Sequence, residues 1–124
     1  IHQAGSLSEM DDMLIDEVHA CKEKGYPSIA LITRTERDAA ALAARLKGRL
    51  EARLLGGGAM VDIRGTLILP IYLAKGLEFD AVLICGADRD HYRTEDDKKL
   101  LYIASTRALN RLNVFYTGTA SPLL

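Results

Sequence analysis

The residues from Ala74 to Asp80 concentrate the side-chain types that do chemistry. They read Ala-Lys-Gly-Leu-Glu-Phe-Asp and lie between two apolar stretches that favour buried strands. So many charged residues beside the end of a strand are typical of a ligand site. They also suit a solvated connection, in which Gly76 permits a positive φ angle while Lys75 and Glu78 face water. Spacing alone leaves both interpretations open.

The residues from Leu100 to Ala108 place a permanent positive charge near the end of a predicted helix. Leu100, Ile103 and Ala104 recur at the spacing of a buried helix face, which leaves Arg107 towards the helix end. An arginine there can simply complement the helix dipole. A guanidinium also forks towards phosphate oxygens and can stabilise the charge that develops in phosphoryl transfer.

Other candidate sites are weaker. The run Gly56-Gly57-Gly58 lacks the Gly-x-x-x-x-Gly-Lys-(Ser/Thr) pattern that cradles phosphates, so it predicts a flexible loop. The three histidines have no spacing, to one another or to cysteine, that indicates zinc. Four acidic residues favour a solvated loop over a Mg²⁺ site: Asp88, Asp90, Asp96 and Asp97. We therefore predict no metal site.

Short apolar stretches alternate with amphipathic ones, which predicts an α/β fold with a mostly parallel sheet and helices on both faces. In such sheets ligands bind at the carboxyl ends of strands, so the segments after Ile32, Ile71 and Ile84 are the ones to search. Three helices are predicted: one capped by Ser6 or Ser8 and ended by Gly25, one capped by Thr35 and running to Leu46, and one over 98–109. The predicted strands cover 28–33, 50–55, 66–72, 80–86 and 112–116, and a surface loop is predicted over 88–97.

Composition bounds the class of protein. The chain has 124 residues, 48% of them apolar and 27% charged, which predicts one compact domain over residues 1–124. A net charge of -1 provides no overall attraction to nucleic acid or membrane, so any polyanion site must be local. No uncharged stretch approaches the roughly 20 residues of a bilayer span, and no signal peptide is visible. Cys21 and Cys85 favour buried, reduced thiols in a cytoplasmic protein, and a first residue other than Met indicates part of a longer polypeptide.

Together and in this order, the two charged segments resemble the fifth and sixth signature motifs of superfamily 1 helicases of the UvrD, Rep and PcrA kind. The fifth motif reads approximately Thr-x-His-x-(Ser/Ala)-Lys-Gly-Leu-Glu-Phe-Asp, and its second half is matched from Ala74 through Asp80. The sixth reads approximately Leu-Tyr-Val-Ala-x-Thr-Arg-Ala and is matched by 101–108, with Ile103 for Val. The resemblance implies the carboxyl-terminal RecA-like lobe of an ATP-dependent DNA helicase or translocase. Such a lobe has a P-loop NTPase-like fold without a P-loop of its own.

The resemblance also implies roles for single residues. Arg107 matches the arginine that reaches the γ-phosphate of ATP, which is bound with Mg²⁺ mainly by the amino-terminal RecA-like lobe. Glu78 matches the glutamate that hydrogen-bonds the nucleotide ribose, and Gly76 lets the backbone turn close to the ligand. Lys75 matches a position at the lobe interface that supports the cleft or the DNA path. The lobe alone is expected to be inactive.

The sequence departs from the motifs on the side that contacts single-stranded DNA. Pro70 and Tyr72 stand in place of the family's Thr and His, so Tyr72 either stacks on a base or packs in the core. Arg34 matches the approximate place of a residue that contacts the nucleic-acid backbone, and a solvated turn residue is the alternative. Leu109 replaces a second arginine.

The sequence of residues 72–80 is most similar to that of the HelD branch, a group of helicase-like ATPases associated with bacterial RNA polymerase. This resemblance leaves a second function open. The chain would then be a non-catalytic docking module, for example on RNA polymerase, in which the ATPase motifs survive as scaffold.

Overall fold

The strands form one sheet in which every ladder is parallel. A computed structural model describes residues 1–55 and 62–123, and within them six strands lie in the order β1-β6-β5-β2-β4-β3. The strands are β1 (His2–Ala4), β2 (Ser28–Thr33), β3 (Arg53–Leu54), β4 (Gly65–Pro70), β5 (Phe79–Cys85) and β6 (Ala108–Thr117), and the helices are α1 (Leu7–Glu23), α2 (Glu36–Leu46) and α3 (Glu95–Ser105).

Both faces of the sheet are covered. Every residue of β2 is buried, because β5 and β4 flank this strand and helical segments cover it above and below. Alternate residues point to opposite faces: Leu31 joins the core formed with α1 and α2, whereas Ile32 joins the core formed with α3 and the 3-10 turn Ile71–Leu73. The predicted α/β fold is confirmed. No helix in the described ranges is both long enough and apolar enough to cross a bilayer.

The predicted starts of the first two helices are confirmed. The Ser6 hydroxyl accepts a hydrogen bond from the Glu9 amide (3.1 Å), so Ser6 rather than Ser8 caps α1. Thr35 caps α2 in the same way through the Asp38 amide (3.1 Å). After α1 the chain turns at Gly25, where φ is 80°.

The third helix begins three residues and ends four residues earlier than expected, which changes the position of Arg107. Thr94 and Asp97 form a reciprocal capping box, so α3 begins at Glu95 rather than at Lys98. It ends at Ser105 rather than at Leu109. Strand β6 then begins at Ala108. The prediction that Arg107 lies within a helix is therefore wrong, because it occupies the two-residue turn between α3 and β6.

Other predicted elements differ at the sheet margins. The strand β1 was not predicted, because three residues paired only with β6 carry too little pattern. Strand β3 has two residues instead of the expected six, and Tyr72 lies in a 3-10 turn because β4 ends at Pro70. The predicted loop at Gly56-Gly57-Gly58 lies outside the described residues.

Because all strands run in the same direction, the sheet has two chemically distinct edges. We call the edge where the strands begin the amino edge; Glu78 precedes β5 there and Arg107 precedes β6. We call the edge where they end the carboxyl edge; Arg34 follows β2 there and Ile71 follows β4. A six-residue strand separates the two edges by about 20 Å.

Candidate functional site

Glu78 and Arg107 are neighbours at the amino edge, although 29 positions separate them in the sequence. The amide N–H of Phe79 donates a hydrogen bond to the carbonyl oxygen of Arg107 (2.9 Å). Phe79 and Ala108 are then partners in the ladder between β5 and β6. The pairing of these strands therefore brings the two charged segments of the sequence together.

The Arg107 guanidinium has unused hydrogen-bonding capacity. One terminal nitrogen donates to the Thr106 hydroxyl (3.2 Å). The Nε atom is buried, with no hydrogen-bond partner among the residues described. The side chain as a whole is half-buried, whereas that of Glu78 is exposed. The terminal nitrogens carry N–H donors beyond the one that Thr106 accepts, and these are the donors open to an acceptor from outside the domain.

Lys75 and Gly76 form a tight turn that leads to Glu78. The turn is closed by the Leu77 amide, which donates to the Ala74 carbonyl oxygen (3.0 Å). Gly76 has a φ of 83°, a conformation that other residues rarely adopt, and nothing crowds the space that a Cβ atom would fill. Lys75 is exposed.

Asp80 is a structural residue of this edge to which the sequence pattern gave no role of its own. Its carboxylate accepts hydrogen bonds from the Ser28 amide (3.1 Å) and the Ser28 hydroxyl (2.8 Å). It also accepts one from the Asn110 side chain (3.2 Å). Asp80 thus joins β5 to β2 and β6 beside Glu78. The sequence places Asp80 at the end of the fifth motif, but its hydrogen-bond partners become visible only from the way in which β5 pairs with its neighbouring strands.

Tyr72 lies at the carboxyl edge. Its side chain is 52% exposed, so it does not pack in the core. The hydroxyl donates to Glu36 at the start of α2 (3.3 Å). Partial desolvation and the Glu36 carboxylate raise the pKa of Tyr72. The ring offers an accessible face held by one polar contact.

Arg34 lies at the same edge and is engaged in an ion pair. Its Nε donates to Asp97 Oδ1 (2.9 Å), and a terminal nitrogen lies 2.8 Å from the same oxygen. The other Asp97 oxygen accepts from the amides of Arg93 (2.8 Å) and Thr94 (3.0 Å). Burial of the Asp97 carboxyl opposes its ionisation, but these hydrogen bonds outweigh burial and hold its pKa far below the usual range. Arg34 is therefore not a solvated turn residue.

The candidate residues fall into two groups on opposite edges. Arg34 and Tyr72 lie at the carboxyl edge, where the sequence analysis directed the search for ligands. Glu78 and Arg107 lie at the amino edge, because the connection over 71–78 crosses the face of the sheet before β5 begins. The two groups, about 20 Å apart by strand length, cannot serve one small ligand.

The segment over 88–97 is only in part the surface loop that we predicted, because its last three residues begin α3 and two of its side chains are buried. Asp97 is buried against Arg34, and Tyr92 is fully buried. Asp88 contacts the His91 ring (2.6 Å). Within the described parts of the chain, no three or more His, Cys, Asp or Glu side chains group so that they would hold a metal ion.

Comparison with known proteins places this fold. Residues 66–118, which include both charged segments, match the UvrD-like helicase C-terminal domain family. The C-terminal domain of a possible DNA helicase from Lactobacillus plantarum is similar over 98% of this chain and 74% of that chain, with a TM-score of 0.87 and 29% identity. The fold is that of a helicase C-terminal domain.

A more distant helicase domain shares the fold alone. Domain 2 of the DEAD-box helicase Mss116p, solved bound to an RNA duplex, has a TM-score of 0.60 and 14% identity. The similarity covers 94% of this chain and 55% of that chain. No curated protein matches the chain. The fold is thus RecA-like, and the HelD-like branch stays a prediction.

Proposed function

We propose that this chain, which has the fold of a helicase C-terminal domain, is the second motor lobe of an ATP-dependent DNA helicase or translocase. The observation that carries the proposal is the hydrogen bond between Phe79 and Arg107, which sets Glu78 and Arg107 side by side at the amino edge. The match of residues 66–118 to UvrD-like helicase C-terminal domains supports the same assignment.

In this proposal Arg107 acts on the γ-phosphate of ATP held mainly by the amino-terminal lobe. The terminal nitrogens fit that role, because only one of them donates within the domain and a planar guanidinium can present several donors to phosphate oxygens. Arginines in this role increase the rate of phosphoryl transfer about 10³- to 10⁵-fold by stabilising charge in the transition state. The turn before β6 holds the guanidinium in place through the backbone and through Thr106.

Glu78 is proposed to hydrogen-bond the ribose hydroxyl groups. Its exposed carboxylate follows the turn at Gly76, whose open surroundings leave room for a ligand. Lys75 is exposed on that turn and is proposed to support the lobe interface or the DNA path. Mg²⁺ is proposed to be held with the ATP mainly by the amino-terminal lobe, as the resemblance implies.

Single-stranded DNA is proposed to cross the carboxyl edge. The exposed ring of Tyr72 suits stacking on a base, a contact worth about 1–3 kcal/mol. Arg34 reaches a phosphate only if its pair with Asp97 opens or if the phosphate binds a free face of the guanidinium. The proposal therefore predicts that Tyr72 contributes more than Arg34 to the affinity for single-stranded DNA.

The test is steady-state ATP hydrolysis by the longer protein that contains this domain, with Arg107→Ala and Arg107→Lys. We expect Arg107→Ala to lower turnover by roughly 10²-fold or more while nucleotide binding falls much less. Lysine should rescue poorly, because a compact ammonium group lacks the planar fork. Arg64→Ala is the matched control, because Arg64 is an exposed arginine just before β4 at the same edge.

If the chain is instead a non-catalytic docking module, Arg107→Ala should leave ATP turnover almost unchanged. The docking-module function is favoured by the ion pair that engages Arg34 and by the Glu36 contact that engages Tyr72, since both residues already have partners within the domain. Turnover within about threefold of wild type in Arg107→Ala would support it, because a motor that depends on this arginine loses far more. Binding to RNA polymerase would then persist in the same variant.

A further inference from the structure

The imidazole of His91 lies between two carboxylates from different parts of the chain. Its Nδ1 atom is 2.6 Å from Asp88 Oδ1, in the segment between β5 and α3. Its Nε2 atom is 3.3 Å from Asp38 Oδ2, in the first turn of α2. The ring therefore bridges that segment to α2 at the carboxyl edge.

The two contacts favour a protonated ring. An ionised carboxylate only accepts hydrogen bonds, and a neutral imidazole carries a single N–H. Only the imidazolium ion donates to Asp38 and Asp88 at once. Loss of the proton leaves one ring nitrogen facing a carboxylate oxygen, lone pair to lone pair.

The other attachments of this segment do not titrate near neutral pH. The Ser121 hydroxyl donates to the Tyr92 carbonyl oxygen (2.7 Å), and the Arg89 amide donates to the Thr119 carbonyl oxygen (2.9 Å). The Arg93 amide donates to Asp97. The bridge from His91 to Asp38 ties the segment to α2.

Few other charged groups face the ring. A cavity of about 280 Å³ beside it is lined by Asp38 and Arg45 from α2, by Cys85 from β5 and by Asp88. Arg45 is itself held by Asp11 (2.7 Å). Partial burial lowers the pKa of His91, but hydrogen bonds and charges from Asp88 and then Asp38 outweigh burial and raise it above its ordinary value.

We propose that His91 is a proton-dependent clamp that fastens the segment between β5 and α3 to α2. With the ring protonated, the clamp is closed and this part of the carboxyl edge is held rigid. With the ring neutral, the contact to Asp38 opens first, because it is the longer of the two. The clamp regulates the mobility of this edge independently of any ATP chemistry.

The sign of the pH dependence follows from the raised pKa. A group with a higher pKa in the folded state contributes stability that is full below its unfolded pKa, near 6.5, and is lost as the pH rises through the folded pKa. The clamp should therefore be closed below pH 6.5 and should open as the pH rises through the raised folded-state pKa. Asp97 also has a shifted pKa, but it titrates only in strong acid and does not contribute in this range.

Two measurements on the chain test the proposal. Nuclear magnetic resonance titration of the His91 ring should give a midpoint above 6.5 that falls in Asp38→Asn. The Tyr92 and Arg93 amides should be about threefold less protected from hydrogen exchange at a pH well above the measured His91 midpoint than at pH 6, after correction for the intrinsic pH dependence of exchange. His91→Gln should remove this difference, and His19→Gln on the exposed side of α1 is the matched control.

Two results would overturn the clamp. One is a His91 midpoint that is the same in wild type and in Asp38→Asn. The other is wild-type protection that is equal at the two pH values. If His91→Gln fails to fold, these two comparisons still decide, because neither uses that variant.

Discussion

Ser28 and Asp80 exchange hydrogen bonds in both directions at the amino edge. The Ser28 hydroxyl donates to the Asp80 carboxylate (2.8 Å), and the Asp80 amide donates back to the same hydroxyl oxygen (2.9 Å). The two residues are 52 positions apart. This exchange fixes the start of β5 against β2 and so fixes Glu78, which lies two residues before Asp80.

Replacing Ser28 by alanine should weaken the sheet at this point. The change removes a donor to a part-buried carboxylate and the acceptor of the Asp80 amide, so we expect a loss of about 1–3 kcal/mol in the free energy of unfolding. Urea unfolding of Ser28→Ala measures it. Ser8→Ala is the control, since Ser8 is exposed in α1 and should stay within about 0.5 kcal/mol of wild type.

Tyr92→Phe should not destabilise the protein. The Tyr92 ring is fully buried, and its hydroxyl has no hydrogen-bond partner within the described residues. Removing the oxygen relieves an unsatisfied polar atom, so the free energy of unfolding should be unchanged or higher. Tyr92→Ala should instead cost about 3–5 kcal/mol through the cavity that it leaves. A loss above about 1 kcal/mol in Tyr92→Phe would reveal a hydroxyl partner.

The ion pair between Arg34 and Asp97 should stabilise the protein in a pH-dependent way. Asp97→Asn should lower the free energy of unfolding at pH 7 by about 1–3 kcal/mol, because a charged acceptor is lost. Since the folded-state pKa of Asp97 is depressed, its contribution is full above the ordinary aspartate pKa of 3.8 and is lost as the pH falls below it. Urea unfolding at several acidic pH values should therefore show the gap between wild type and Asp97→Asn narrowing. A gap independent of pH would contradict this account.

The isolated chain should bind ATP weakly or not detectably. Arg107 and Glu78 offer one phosphate contact and one ribose contact, and few contacts rarely outweigh the entropy lost on binding. Isothermal calorimetry with ATP and Mg²⁺ is the measurement. Micromolar affinity would show a complete nucleotide site within this domain.

Binding of the chain to single-stranded DNA should likewise be weak and should fade with added salt, given a net charge of -1. Fluorescence anisotropy with a labelled oligonucleotide at several salt concentrations tests this. Tyr72→Ala should weaken any binding more than Arg34→Ala, because Tyr72 is exposed whereas Arg34 is held by Asp97. The reverse order would indicate that the ion pair opens on the nucleic acid.

The sequence by itself determined the architecture and several local features. The alternation of apolar strands with amphipathic helices predicted the α/β fold, because burial on both faces of a parallel sheet demands continuous apolar runs such as the one in β2. Caps at Ser6 and Thr35 were readable because an N-cap depends on residues within three positions of one another. The candidate residues Glu78 and Arg107 were found from the amino-acid sequences of the two motifs and from the order of these motifs in the chain.

Only the tertiary structure decided where those residues lie and what they contact. Arg107 lies in a turn rather than in the expected helix because β6 pairs with β5 from Ala108 onwards, so α3 ends before it. The start of α3 also depends on a distant residue, since Asp97 of its capping box is held by Arg34 from 63 positions away. The bridge at His91 likewise depends on strand order, which brings the end of β5 beside the start of α2. Periodicity reports which face of an element is buried, whereas partners across the sheet depend on register and crossover paths, which a local pattern does not encode.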